Sequence, residues 1–444
     1  MAAEEAMNAS GLNVTMRHSF FCEKEPSKQQ WIKAFHCCGD NPEEWPCIFG
    51  DMETMQKETA HCYSHDKQCP IVAVFGVFIG SSCKYFSRRN QKTDHGDKAK
   101  LLSAARKAAQ GSQATPDHQS AITYLAFMSY LQRFKPAFWV FENTDAFLDK
   151  EEVAQKDQDD NDSNMAVVIN DAAERGYDCQ PFVTVSDEYG LPQERRRFFI
   201  AAMQRVTPYW TLDDPECDRT FKRFSDRMCR VRQTPPGIAD ILLSEKHPYI
   251  VSELARRTEH RAKAGPTSDG AGSSWQQQSS EWCRLHKLRW GAVDPAEQTK
   301  QSPWFATLPK SQQEMIVYVQ AVHGAECAID LSQSLAQTRV IPAPLKSIRT
   351  LLPANVWWLS ISEKEVARVL TGRESLTCQG WPWQRKNRAV VDKFSDTLMR
   401  DLAGNAFPGL VVLAIFDSLL YAAPWARQQS EAEVNATLAM SGFC

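Results

Sequence analysis

The sequence lacks a large excess of charge of either sign. Its 444 residues contain 51 Lys and Arg against 54 Asp and Glu, which gives a formal net charge of −3 at pH 7. A chain with this balance does not attract polyanions as a whole, so contact with a nucleic acid requires a local basic surface. The length is sufficient for two domains or for one large domain with an insertion.

A secretory signal and a long apolar run are also missing. The first ten residues, MAAEEAMNAS, carry acids where a signal peptide has basic and then apolar residues. We therefore expect the 14 cysteines to be thiols in an intracellular, reducing compartment, which would be the nucleus in a eukaryote. The longest apolar stretch, Phe407 to Ala423, contains Asp417 and is short for a bilayer span. It predicts a buried helix and no membrane partner.

Paired metal-ligand motifs are absent as well. The cysteine spacings include Cys37 next to Cys38 and Cys62 followed by Cys69, but no Cys-x-x-Cys has a matching second pair. Structural zinc sites typically show such paired spacing. The sequence therefore predicts no metal.

Up to about Gln204, short apolar runs alternate with longer amphipathic stretches. This rhythm is typical of an α/β fold in which helices cover both faces of a sheet. The predicted strands are Val14 to Cys22, Cys47 to Gly50, Ile71 to Ile79, Ala137 to Phe141, Gln180 to Ser186 and Arg197 to Ala202. The predicted helices include Ser27 to Phe35, Asp117 to Phe134 and Met165 to Arg175. After Gln204 the rhythm is lost, which indicates a second region of different architecture.

Two predicted strands end in a carboxylate. Residues 20–23 (FFCE) end at Glu23, and residues 48–52 (IFGDM) reach Asp51 and Met52. In doubly wound sheets, an acid at this position can accept hydrogen bonds from the ribose hydroxyls of a nucleoside cofactor. Because many strands end in an acid, each segment alone is weak support for a cofactor site.

Two further segments carry residues suited to catalysis at the same edge of the sheet. Cys83 lies in a loop of small residues after the third predicted strand, where ligands bind in open α/β sheets. Among 14 cysteines, a buried inert thiol is the alternative for this residue. Glu142 directly follows the predicted strand Ala137 to Phe141, where partial desolvation should raise its pKa and allow it to act as an acid.

Three arginines follow in residues 189–197 (YGLPQERRR). If these residues continue into a regular strand, alternation sends Arg195 and Arg197 to one face and Arg196 to the other.

The order of these segments resembles that of the cytosine-5 DNA methyltransferases. Glu23, Gly50 with Asp51, Ser82 with Cys83, Glu142 with Asn143, and Gln193 with Arg195 and Arg197 match motifs II, III, IV, VI and VIII. Residues 368–374 (RVLTGRE) with 379–382 (QGWP) resemble motif IX, and 403–408 (AGNAFP) resemble motif X. Seven elements in family order are far more specific than any one of them.

The resemblance implies a doubly wound, Rossmann-like methyltransferase sheet with a second, smaller target-recognition domain. It implies that Cys83 adds to carbon 6 of a flipped-out cytosine while Glu142, Arg195 and Arg197 assist at the base. The methyl donor would be S-adenosylmethionine. Its expected binding residues are Glu23, Asp51, Met52 and Asn405.

The resemblance also divides the chain into three segments. Residues 1–204 would form the catalytic domain, 205–367 the target-recognition region, and 368–444 motifs IX and X with a helix that returns to the catalytic domain. The recognition region contains basic residues that could follow DNA phosphates or simply face solvent. They are Arg219, Lys222, Arg223, Arg227, Arg230 and Arg232.

Two features depart from the family pattern. The first 25 residues contain no glycine-rich turn of motif I. We therefore expect that the chain begins one strand late and is a truncated product of an active enzyme. The absent strand would leave two inner sheet edges unpaired. Ser82 and Lys84 replace the usual proline and glutamine, which should leave the Cys83 loop more mobile. The alternatives to a DNA enzyme are a tRNA cytosine-5 methyltransferase and a non-catalytic, nucleic-acid-binding relative.

Overall fold

The computed structural model describes residues 17–37, 39–80, 86, 95–109, 119–148, 163–264, 273–288, 302–353, 355–381 and 388–423. The chain divides into two compact units. Unit 1 comprises Met1–Val185, Arg196–Arg232 and Val411–Cys444, and unit 2 comprises Ser186–Arg195 and Gln233–Leu410. The division into functional segments at residues 204 and 367, which was expected from the resemblance, remains a prediction.

Unit 1 begins with two small sheets. Strands β1 (Phe20–Cys22) and β2 (Cys47–Phe49) are parallel and flank helix α1 (Pro26–His36), while β3 (Thr59–Cys62) and β4 (Lys67–Pro70) form an antiparallel hairpin. The hairpin was not predicted, because its polar residues do not show the β-branched alternation of a typical strand. The predicted strand Ile71 to Ile79 begins later than expected, at Gly76.

The main sheet of unit 1 has four strands in the order β5-β6-β9-β7. They are β5 (Gly76–Gly80), β6 (Phe138–Thr144), β7 (Tyr177–Val185) and β9 (Arg196–Gln204). Strands β5 and β6 are parallel, and β9 is antiparallel to both of its neighbours. The helices between them are α2 (His95–Ala109), α3 (Gln119–Phe134) and α4 (Asn164–Ala173). The predicted helices at 117–134 and 165–175 are therefore confirmed within two residues.

Helices cover both faces of this sheet. On one face Trp139, Phe141 and Phe198 are buried in a core shared with α2, α3 and α4. On the other face Phe138 contacts Phe416, which belongs to the last helix that the structure describes. Helix α5 (Asp214–Arg230) and the helix of Phe416, α13 (Gly409–Ala422), both cover that face. Side chains that alternate along β6 thus supply apolar residues to the helix layers on both faces of the sheet. The predicted α/β doubly wound fold is confirmed.

The edges of the two parallel pairs remain open in the described part of the chain. Strand β1 pairs with β2 alone, and β5 has β6 as its one neighbour. The family pattern expects a further strand between these edges.

Unit 2 combines helices with an antiparallel sheet of order β11-β10-β13-β14. The strands are β10 (Cys327–Asp330), β11 (Val340–Pro342), β13 (Trp357–Ile361) and β14 (Val366–Val369), and a short pair joins β8 (Gln193–Glu194) to β12 (Ile348–Arg349). The helices are α6 (Ile238–Ile241), α7 (Pro248–Ala264), α8 (Ser273–Leu285), α9 (Lys310–His323), α10 (Gly372–Cys378), α11 (Arg388–Val391) and α12 (Asp396–Asn405). Trp304, Phe305 and Trp358 lie in its core.

The apolar C-terminal helix is largely buried. No single helix among the described residues is long and apolar enough to span a bilayer, and α12 and α13 reach that limit only as a pair bent by 41°. Asp417, the one carboxylate in α13, pairs with Arg227 of α5 at 2.6 Å. This pairing explains how a charge is tolerated within an apolar helix.

Candidate active site

A buried glutamate lies near the end of the central strand of unit 1. Glu142 is 7% exposed on β6, and its Oε1 is 3.1 Å from Nε of Arg197 on β9. The two residues lie diagonally across neighbouring antiparallel strands, since Glu142 faces Phe199 and Thr144 faces Arg197. Side chains in this diagonal relation share one face of a sheet and can touch. A buried carboxylate with a charged donor has a fixed orientation, which suits it for contact with a substrate.

The candidate nucleophile follows the neighbouring strand. Gly80, the last residue of β5, pairs with Glu142 in the parallel ladder. Cys83 comes three positions later in the sequence and lies outside the described residues, so the structure does not test its role. Asn143, beside Glu142, is fully buried, and its side-chain oxygen accepts from the backbone N–H of Thr144 at 2.8 Å.

The two arginines at the start of β9 face opposite ways. Arg197 is buried against Glu142, whereas Arg196 is largely exposed, with its Nε 3.5 Å from Asp145. A surface ion pair of this kind contributes little to stability.

This difference predicts unequal effects on activity. In an assay of the reaction that the resemblance implies, Arg197→Ala should lower kcat by about 100-fold, because the carboxylate of Glu142 loses a charged donor that orients it. Arg196→Ala is the matched control on the adjacent residue, and its kcat should stay within about twofold of wild type. Equal losses in both variants would contradict the orienting role of Arg197.

Arg195 is placed differently from the prediction. It lies between β8 and β9 and belongs to unit 2, so the regular strand expected through both Arg195 and Arg197 is wrong. Its guanidinium donates to the backbone carbonyls of Leu351 at 3.0 Å and Gly404 at 3.1 Å. The strand is interrupted because the segment from Ser186 to Arg195 pairs within unit 2, where Ser186 Oγ accepts from the backbone N–H of Arg195. The guanidinium of Arg195 is therefore hydrogen-bonded to backbone carbonyls of unit 2. Its catalytic role remains a prediction, because these contacts do not test it.

Three of the sequence motifs meet in unit 2. The amide of Gln379 donates to the carbonyl of Ala403 at 2.6 Å and to Gln193 Oε1 at 3.3 Å. Gly404, next to Ala403, has no room for a side chain, because a Cβ there would lie 2.1 Å from the backbone nitrogen of Pro353. Motifs VIII, IX and X are thus joined through buried amides and main-chain groups, which sequence order alone did not reveal.

A fully buried ion pair holds the start of motif IX. The guanidinium of Arg368 donates twice to the carboxylate of Glu374, at 2.8 Å for each bond, and once to Glu245 at 2.6 Å. Glu374 also accepts from the backbone N–H of Thr371 at 3.0 Å, which forms a capping box at the start of α10. The carboxylate of Glu374 therefore pairs with the buried guanidinium of Arg368 and also accepts a hydrogen bond at the start of α10.

Glu374→Ala should destabilise unit 2 by about 3 kcal/mol, because it removes the main partner of a buried guanidinium and a helix cap. Urea unfolding followed by tryptophan fluorescence measures this, since Trp304 lies 6.0 Å from the guanidinium of Arg368. Glu363→Ala, at an exposed position, is the control and should change stability by less than about 0.5 kcal/mol. Indistinguishable unfolding curves for the two variants would contradict this account.

The two acids expected at a cofactor site follow neighbouring strands. Glu23 comes directly after β1, and Asp51 comes two residues after β2. Their charges both act on Cys22: burial, and then Asp51 and Glu23, raise the pKa of its thiol to about 12. Glu23 is partly buried and its Oε1 accepts from the backbone N–H of Glu25 at 2.9 Å, and Asp51 caps the short helix that begins at Met52. Unit 1 therefore brings the two carboxylates to one edge of the β1-β2 pair.

The remaining cofactor candidates have different environments. Met52 is partly buried and packs against the apolar cores of unit 1. Asn405, the last residue of α12, belongs to unit 2, is exposed, and donates its amide to the backbone carbonyl of Asp401 at 3.0 Å. The structure does not test a cofactor role for either residue.

The basic residues after position 214 lie mainly on helix α5 of unit 1. Arg227 pairs with Asp417, and Arg223 Nη2 lies 3.5 Å from the carbonyl of Ala422, so these two side chains face α13. The members of the set that are exposed are Arg219, Lys222, Arg230 and Arg232. The exposed basic surface is thus smaller than the sequence suggested, and helix α5 belongs to unit 1.

Comparison with known proteins matches one family model to the part of the chain that contains Glu142, Arg195 and Arg197. The model for C-5 cytosine-specific DNA methylase matches residues 108–420, well over half of the chain. No curated protein matches the sequence. Among solved structures, the Dnmt2 methyltransferase of S. pombe is 13% identical with a TM-score of 0.42, and the Entamoeba histolytica methyltransferase EhMeth is 10% identical with a TM-score of 0.40. Each comparison covers 94% of this chain and 94% of the other.

Proposed function

The chain belongs to the C-5 cytosine-specific DNA methylase family, and we propose that it transfers a methyl group from S-adenosylmethionine to carbon 5 of cytosine in DNA. The observation that carries this proposal is the buried Glu142, oriented by Arg197 and paired through the backbone with Gly80, three residues before Cys83. Covalent activation of cytosine requires a nucleophilic thiol and a carboxyl group that act on the same base.

Cys83 is the proposed nucleophile. Its thiolate adds to carbon 6 of the ring, the carbon–sulfur bond forms, and the electron pair of the 5,6 double bond becomes available at carbon 5. After carbon 5 is methylated, loss of its proton restores the double bond and expels the sulfur. The cytosine must leave the base stack for this attack, because the ring carbon is inaccessible within a duplex.

Glu142 is proposed to act at ring nitrogen 3. A hydrogen bond or proton from its carboxyl group to this nitrogen draws electrons from the ring and favours attack at carbon 6. Arg197 supports this role by fixing the carboxyl group at 3.1 Å, and burial limits competition from water. Arg195 is proposed to contribute at the base as well, by resemblance to the family motif.

The residues of unit 1 fit the nucleoside end of S-adenosylmethionine, which supplies an electrophilic methyl group when bound. Glu23 and Asp51 present acceptors at adjacent strand ends, and ribose hydroxyls are donors. Met52 and Asn405 are proposed as further binding residues, by resemblance to the family motifs.

The exposed cations of unit 1 support a nucleic-acid substrate. Arg219, Lys222, Arg230 and Arg232 could contact phosphates although the whole chain carries a net charge of −3. We favour duplex DNA because the recognition region of residues 205–367 is large enough to follow a groove.

Methyl transfer from tritium-labelled S-adenosylmethionine to duplex DNA and to tRNA tests the proposal. We expect label in DNA, released as 5-methylcytosine after digestion. Label in tRNA alone would overturn the choice of substrate. Binding of either nucleic acid without transfer to any cytosine would instead support a non-catalytic relative and overturn the enzyme assignment.

A further inference from the structure

Four side chains of the types that bind zinc converge near the start of unit 1. They are Cys47 at the start of β2, Cys62 at the end of β3, His65 in the following turn and Cys69 on β4. Their ligand atoms all lie within 4.8 Å of one another. Cys62 and Cys69 are buried, and Cys47 and His65 are partly buried. The cluster is distinct from the catalytic residues, and the function proposed above does not use it.

The distances match a tetrahedral site. Nδ1 of His65 lies 3.2 Å from the sulfur of Cys62 and 3.6 Å from the sulfurs of both Cys47 and Cys69. Around a tetrahedral zinc ion, with bonds of about 2.3 Å to sulfur and 2.0 Å to nitrogen, neighbouring sulfur and nitrogen atoms lie about 3.5 Å apart. One metal ion can therefore contact all four atoms with little movement of the chain.

The histidine ring is oriented as a metal ligand requires. Its other nitrogen, Nε2, lies 3.0 Å from the backbone carbonyl of Pro42, so Nε2–H can donate to that oxygen. This hydrogen bond favours the neutral tautomer in which Nδ1 carries a lone pair, directed at the three sulfurs. A second hydrogen bond from a ligating imidazole to a carbonyl or carboxylate is a regular feature of zinc sites.

The hairpin geometry builds the cluster from distant parts of the chain. The backbone N–H of Tyr63 donates to the carbonyl of Ile48 at 2.8 Å, which ties the end of β3 to β2. Ser64 Oγ donates to the carbonyl of Pro46 at 2.7 Å, on the residue before Cys47. Asp66, at φ 53°, allows the tight turn that returns the chain to Cys69. These contacts preorganise the four ligands without the metal.

We propose that Cys47, Cys62, His65 and Cys69 bind one zinc ion with a structural role. Three thiolates and an imidazole favour zinc over hard cations such as magnesium or calcium. All four positions are filled by protein, which is typical of structural sites, whereas catalytic sites leave one position open. The ion would fasten the hairpin to β2, the strand that precedes Asp51.

The sequence contains a partial signal for this site. The spacing Cys62-x-x-His65-x-x-x-Cys69 places three ligands within eight residues, but the fourth is Cys47, fifteen residues upstream on another strand. The expectation of no metal rested on the absence of paired Cys-x-x-Cys motifs. That criterion does not detect a ligand contributed by a separate strand.

The metal content of the full-length protein tests the proposal. Protein purified without chelators and dialysed against metal-free buffer should contain about one zinc per chain by inductively coupled plasma mass spectrometry. Cys62→Ser and Cys69→Ser should reduce this to near zero. Cys229→Ser, at an exposed cysteine outside the cluster, should retain the wild-type content, and His65→Cys should also retain it because a four-cysteine site binds zinc.

A spectroscopic measurement keeps the test valid if the serine variants fail to fold. Cobalt exchanged into wild-type protein should give the intense visible bands of tetrahedral coordination and a sulfur-to-cobalt charge-transfer band, and zinc should abolish both. Wild-type protein with no bound zinc and with a weak, octahedral cobalt spectrum would overturn the proposal. Equal zinc content in wild type and in folded Cys62→Ser would overturn it as well.

Discussion

Replacing Cys83 by alanine is expected to lower kcat for cytosine methylation by about 10⁴-fold or more, because no other group replaces the sulfur that attacks carbon 6. Binding of S-adenosylmethionine should be nearly unchanged, since the thiol acts on the base and not on the methyl donor. Tritium transfer measures the first quantity and calorimetry the second.

Cys229→Ala is the matched control, because it removes an exposed thiol from helix α5. It should retain wild-type activity. Three other cysteines are poor candidates for the nucleophile, since burial raises the pKa of the Cys22, Cys217 and Cys327 thiols to about 12 and keeps them protonated at neutral pH. Residual activity above about one per cent in Cys83→Ala would contradict the assignment of the nucleophile.

Glu142→Gln is expected to have the second largest effect, a loss of about 10² to 10⁴ in kcat. Glutamine keeps the size of the side chain and can still accept a hydrogen bond from Arg197, so unit 1 should fold normally. It cannot transfer a proton to ring nitrogen 3, however, and activation of the base should fail. Steady-state kinetics on a cytosine-containing duplex measures the loss.

Glu174→Gln provides the comparison for this substitution. Glu174 is exposed and pairs with Arg106 on the surface of unit 1, where an ion pair contributes little. The kcat of the Glu174→Gln variant should stay within about twofold of wild type. If Glu142→Gln were equally active, the carboxyl group would have no part in proton transfer.

The parts of the fold with strong periodicity could be predicted from the sequence. The apolar residues of β6 and β9 and the amphipathic helices α3 and α4 follow regular patterns. The helix bounds agree with the predicted ones within two residues and the strand bounds within three. Glu142 could be identified for the same reason, because it directly follows the apolar run of residues 137–141 in the sequence. The order of short motifs then gave the family, although each motif alone was ambiguous.

The remaining features depend on contacts between distant residues. The chain passes from unit 1 to unit 2 and back within residues 186–195, and that exchange separates Arg195 from Arg197 despite their alternation in sequence. The β3–β4 hairpin has little apolar patterning. Its Cys and His side chains can be recognised as candidate metal ligands only when the fold places them beside Cys47. Local patterns cannot report such partners, because the contacts are set by tertiary structure.

The central claim is covalent attack by Cys83, and one measurement tests it most directly. Wild-type protein incubated with S-adenosylmethionine and a DNA duplex containing 5-fluorocytosine should form an adduct that survives denaturation, because fluorine at carbon 5 prevents release of the sulfur. Mass spectrometry after proteolysis should locate the modified nucleotide on the peptide that contains Cys83. An adduct on another cysteine, or none under conditions in which cytosine is methylated, would contradict the account.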